Sequence, residues 1–75
     1  MFNTAFNLHS QGKLDEAEKI YLEILKTEPQ NAQVLNLLGL IKISQGKLDF
    51  AEKFILKALS IKKDAYFYEN LARVY

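Results

Sequence analysis

Few residues in this chain are of the types that do chemistry, and their spacing decides against each chemistry in turn. His9 is the only histidine and there is no cysteine, so no thiolate–imidazole pair, disulfide or thiolate metal site is available. Ser10, Ser44 and Ser60 fall at helix ends with no base at a spacing that would bring one near. Asp15, Glu16 and Glu18 resemble an acid–base or metal-binding group. They stand at the start of a helix, however, where its dipole and i,i+4 pairing already account for them. His9 reads as a groove or surface side chain, the alternative being a single ligand contributed to a metal or substrate site. Gly12 and Gly46 are isolated glycines, whereas a phosphate-cradling loop needs several after a strand. The expectation is a protein that is not an enzyme and uses no cofactor and no metal.

Composition narrows the partners. Ten basic residues against nine acidic ones lack the basic excess of a nucleic-acid interface, so no nucleic acid is expected. Lys53, Lys57, Lys62 and Lys63 are the only basic accumulation; they read as a solvated outer face, with an anionic partner as the minor alternative. Residues 1–9 have no basic region, unbroken apolar run or small-residue cleavage site. Nor does any stretch approach the roughly 20 apolar residues of a membrane span. A soluble, cytoplasmic chain with no membrane contact is expected. Apolar residues at 49 % and charged residues at 25 % fit one small globular domain of 75 residues.

The elements that must position these residues are announced by a duplication. Gln11-Gly12-Lys13-Leu14-Asp15-Glu16-Ala17-Glu18-Lys19 returns 34 residues later as Gln45-Gly46-Lys47-Leu48-Asp49-Phe50-Ala51-Glu52-Lys53, with one position changed. A period of this length without a strand pattern indicates stacked helix-turn-helix units. Met1, Ala5 and Leu8 are spaced for a first helix, with Phe2, Phe6 and His9 on the adjoining stripe. The glycines suit the left-handed residue that ends a helix. A second helix opens near Leu14 and ends in Thr27-Glu28-Pro29, and Asn31 caps a third from Ala32 to about Ser44. That third helix is apolar on most of its circumference, the pattern of a helix packed on more than one side. The fourth runs from Leu48 to about Ile61, and Asp64 caps a fifth whose stripe is Tyr68, Leu71, Ala72 and Tyr75. Asp15–Lys19 and Asp49–Lys53 are expected to pair on the outer face. Ala5, Ala17, Gly39, Ala51, Ala58 and Ala72 mark the expected close approaches.

These residues resemble the tetratricopeptide repeat family. The motif is carried by Ala5, Leu8, Gly12, Ala17, Tyr21 and Pro29, then by Leu35, Leu38, Gly39, Gly46, Ala51, Ile55 and Ala58, and finally by Tyr68, Leu71, Ala72 and Tyr75. The resemblance implies an all-α, right-handed solenoid of five antiparallel helices. Its repeats would cover about 1–31 and 32–64, with a half repeat over 65–75 that could belong to a longer array. Lys42, Ile24 and Lys63 depart from the family pattern, and the second repeat is one residue short. Leu37-Leu38-Gly39-Leu40-Ile41, Gln45-Gly46 and Ala51-Glu52 are also similar to the repeats preceding bacterial O-linked N-acetylglucosaminyltransferase-like domains. A general member of the family fits those residues equally well.

The family lines its concave face with the first helix of each repeat, which implies a non-catalytic module binding a protein or peptide. The implied site residues are Phe2, Asn3, Phe6 and His9, then Gln33, Asn36, Leu37 and Leu40, then Tyr66, Glu69, Asn70 and Arg73. Phe2, Phe6, Leu37 and Leu40 fit equally as core in an array that curls on itself. The chaperone-type carboxylate clamp is excluded, because its positions hold Phe2, Phe6, Leu37, Tyr66 and Asn70. The asparagine ladder of glycosyltransferase-type superhelices is matched by Asn3 and Asn70 but interrupted at Leu37. Two alternatives remain beside the binding module. One is a structural unit that self-associates through the uncapped last helix. The other is the repeat segment of a larger glycosyltransferase-like protein.

Overall fold

The computed structural model describes residues 1–75 and is built from five helices with no strand: α1 (Phe2–Ser10), α2 (Leu14–Thr27), α3 (Ala32–Ser44), α4 (Leu48–Ile61) and α5 (Ala65–Val74). Half of the ten boundaries have an evident local cause. Gly12 and Gly46 adopt φ of +81° and +76°, the left-handed conformation that lets the chain leave α1 and α3 at once. The Asn31 side chain accepts from Val34 N at 3.1 Å and that of Asp64 from Tyr66 N at 2.8 Å, capping α3 and α5. Pro29 follows α2, whose last turn ends at Thr27.

Short connections fold α2 back on α1 and α4 back on α3, while α3 also meets α2 and α5. The all-round apolar pattern of α3 is thereby explained. Val34, Leu37, Leu38 and Ile41 join Ala5, Ala17, Tyr21 and Ile24 in one core. Ala32 and Leu35, on another side of the helix, join Ile55, Ala58, Leu59 and Phe67 in a second. Gly39 is the close approach expected of it: a Cβ there would stand 2.5 Å from Ile55 Cγ1.

Two expectations change. The buried stripe of α5 is Phe67, Asn70, Leu71 and Val74, while Tyr68, Ala72 and Tyr75 are exposed. Phe67, Leu71 and Val74 lie 33 residues after Val34, Leu38 and Ile41, which α3 turns towards the preceding helices. Tyr68, Ala72 and Tyr75 lie 33 after Leu35, Gly39 and Lys42, and that side of α5 is exposed. The pairs Asp15–Lys19 and Asp49–Lys53 do not form, and the two ion pairs present are Lys26–Glu23 and Lys42–Glu18. Exposed pairs are worth little in water, so some form, as Lys26–Glu23 does, and others do not.

Lys42, the departure within α3, is accommodated by a partner on α2. Its Nζ donates to Glu18 Oε2 at 2.8 Å and to Gln45 Oε1 at 3.4 Å, with side chains only 12 % and 21 % exposed for Lys42 and Glu18. The Lys42 hydrogen bond holds the Glu18 carboxyl below its ordinary pKa.

Candidate functional site

A cleft of about 640 Å³ opens between α1, α3 and α5, within the size range of ligand sites. Phe6 comes from α1, Ala32, Gln33, Asn36 and Leu37 from α3, and Tyr66 and Phe67 from α5. Gln30 from the α2–α3 turn and Ile61, Lys62 and Asp64 around the α4–α5 turn close one end. Leu37, Ala32 and Phe67 are nearly buried, whereas Phe6 and Tyr66 are left 45 % and 48 % exposed. The two half-exposed rings stand beside a floor of small and aliphatic side chains. The cleft is formally neutral, with Lys62 against Asp64. The Asp64 carboxylate already caps α5.

Of the expected site residues, Phe6, Gln33, Asn36, Leu37 and Tyr66 meet around this cleft. The others lie elsewhere. His9 turns to α2, where its Nδ1 is 3.3 Å from the Tyr21 hydroxyl, and burial lowers its pKa. Tyr21 is fully buried and its phenol is pushed up to about 12, so His9 serves as partner to an interior hydroxyl. Phe2 stacks on Phe6 with ring centroids 6.0 Å apart and packs against the first core, as does Leu40. Asn3, Glu69 and Arg73 are exposed and lie outside the cleft lining. Asn70, expected at the groove edge, is fully buried between α5 and α3, because α5 turns its Phe67–Val74 side inward. Its Nδ2 donates to Asn36 Oδ1 at 3.1 Å.

Gln30, Ala32, Ile61, Lys62, Asp64 and Phe67 line the cleft without having been expected there. Most belong to helix starts and turns, which a rule drawn from mid-helix positions passes over. The signals were the Pro29 turn and the one-residue-shorter spacing before α5. No group of His, Asp or Glu side chains is arranged to hold a metal ion, and no helix is long and apolar enough to cross a membrane.

Five helices in this order, two glycine helix ends 34 residues apart and a cleft walled by alternate helices define a helical-repeat protein. The tetratricopeptide repeat model matches residues 8–74, and the chain belongs to that family. Such repeats generally mediate protein–protein interaction. A comparison with curated proteins gave no match.

Proposed function

We propose that this chain is a protein-interaction module that takes a peptide segment of a partner protein into the cleft between α1, α3 and α5. The observation that carries the reading is the exposure of Phe6 and Tyr66, on different helices, at the mouth of one 640 Å³ cleft. Isolated exposed aromatics need no explanation, but two facing a shared concavity supply the rigid apolar anchors that interfaces use. Gln30 and Gln33 at the edge offer amides to a peptide backbone. The test is site-specific photocrosslinking with p-benzoylphenylalanine in place of Tyr66, or of Leu22, which is exposed outside the cleft. Partner capture at position 66, abolished by Phe6→Asp, is expected. Equal capture of the same proteins from position 22 would remove the cleft from the interaction.

The exposed side of α5 supports a second reading, pairing of two copies through Tyr68, Ala72 and Tyr75. Light scattering across a concentration series tests it, and a constant monomer mass would end it.

A further inference from the structure

The end of the cleft at the start of α3 carries hydrogen-bond donors with nothing to bond. The backbone N–H groups of Ala32 and Gln33 make no hydrogen bond, whereas Val34 N is capped by Asn31 and Leu35 N reaches Asn31 O. Asn36 lies one turn further along and is 1 % exposed. Its Oδ1 is held by Asn70, its Nδ2 has no protein partner, and that nitrogen is not sealed in the interior. Asn36 lines the cleft. Side chains lean towards a helix's N-terminus, and Ala32 and Gln33 stand one turn before Asn36 on that side.

The Asn36–Asn70 bond fixes the polarity of that amide. As arranged, the orphaned buried atom is Asn70 Oδ1. Turning both amides over would orphan a buried N–H instead, which proteins tolerate less well than an under-satisfied oxygen. Asn70 is therefore a positioning residue: it keeps Asn36 a donor towards the cleft.

We infer that this end of the cleft binds a neutral acceptor, a backbone carbonyl of the bound peptide next to its apolar anchor, through Asn36 Nδ2 and the N–H groups of Ala32 and Gln33. The charged groups at the site are Lys62 and Asp64. They cancel formally, so apart from the α3 dipole no net positive charge draws a carboxylate, and a backbone carbonyl supplies the acceptor these N–H donors need. The inference rests on the reading of the cleft as a peptide site.

A pair of small probes tests it: N-acetyl-leucine N-methylamide, which is neutral, and N-acetyl-leucine, which ends in a carboxylate. Each is titrated at millimolar concentration into the ¹⁵N-labelled chain. The methylamide is expected to shift the backbone signals of Ala32 and Gln33 and the side-chain NH₂ of Asn36. Asn36→Asp preserves an acceptor for Asn70 but replaces the cleft donor by an oxygen, and should weaken the probe at least tenfold. Ala32→Pro removes one N–H at a first-turn position that tolerates proline, with extended Asn31 before it (φ −77°, ψ 95°), and should weaken the probe severalfold while the helix persists. Shifts confined to Phe6, Leu37 and Tyr66 would overturn the acceptor inference and leave the cleft as an apolar site. Tighter binding of the carboxylate probe would overturn the neutral acceptor. No response anywhere in the cleft would overturn the inference and count against the cleft reading as well.

Discussion

Replacing Gly39 by alanine sets two effects of known sign against each other. Helix propensity alone favours alanine by about 1 kcal/mol in a helix interior. Against it, the new Cβ would stand 2.5 Å from Ile55 Cγ1, 3.0 Å from Ile55 Cδ1 and 3.4 Å from the Ala51 carbonyl oxygen. Relaxed carbon–carbon contacts lie near 3.5–4.0 Å, at about the minimum of the dispersion well. Ile55 is fully buried and β-branched within a helix, so its χ1 has no free well to turn into. The α4 backbone at Ala51 blocks retreat on the other side. Overpacking costs about 1–3 kcal/mol, and the upper half of that range applies when both a stiff side chain and a backbone must move. Set against propensity, the net destabilisation is about 1–2 kcal/mol. For a domain of this size each kcal/mol moves Tm by about 4–8 °C, so circular dichroism melting should show a loss of roughly 4–16 °C. In an Ile55→Ala background the two colliding carbons are gone, and Gly39→Ala should become neutral or stabilising by up to about 1 kcal/mol. A raised Tm for the single variant, or an equal loss in both backgrounds, would show that close approach to α4 is not what keeps glycine there.

Two further outcomes follow from the polar contacts between helices. Lys42→Met should destabilise by about 1–3 kcal/mol, because it leaves the mostly buried Glu18 carboxylate without its charged donor, and Glu18→Gln in the same chain should recover part of the loss in urea denaturation. Glu18 has a lowered pKa, so its contribution is present above the ordinary carboxylate value of 4.5 and disappears as pH falls through the lowered one; Lys42→Met should flatten that stretch of the stability profile. His9→Phe should cost about 1–3 kcal/mol by stranding the Tyr21 hydroxyl, with Tyr21→Phe restoring most of it. Burial lowers the His9 pKa, so the unfolded chain binds that proton more tightly; its contribution is complete above 6.5 and lost as pH falls from there towards the lowered value, a slope that His9→Phe should remove.

Most of the fold was legible because its determinants are local. The caps at Asn31 and Asp64, the left-handed glycines and Pro29 act within a few residues of themselves, and they set the starts of α3 and α5 and the ends of α1, α2 and α3. The choice of face on α5 was not local. Two stripes fit the same spacing, Phe67-Asn70-Leu71-Val74 and Tyr68-Leu71-Ala72-Tyr75, and the second is wholly apolar by composition. What decides is the packing with α3 and α4, which Phe67, Leu71 and Val74 meet while Tyr68 and Tyr75 stay exposed.

The same turn of α5 explains why the site was legible only in part. Phe6, Gln33, Leu37 and Tyr66 could be placed from the family resemblance, which assigns one face to the first helix of each repeat. Asn36 was placed there too, but its pairing with Asn70 was not, because the role of each depends on the other. Read singly, each is an amide suited to a groove. Placed 3.1 Å apart and buried, they divide the work: Asn70 gives its donor to Asn36, and Asn36 keeps its own for the cleft. An apolar pair would fill that space at lower cost, since a buried orphan oxygen penalises the fold by about 1–3 kcal/mol. Asn70→Leu therefore separates the two demands. It exchanges one buried orphan oxygen, on Asn70, for another, on Asn36, so Tm should change little, while methylamide binding at the start of α3 weakens because the Asn36 amide is then free to turn. A loss of Tm with unchanged binding would instead make the pair a device for seating α5 on α3.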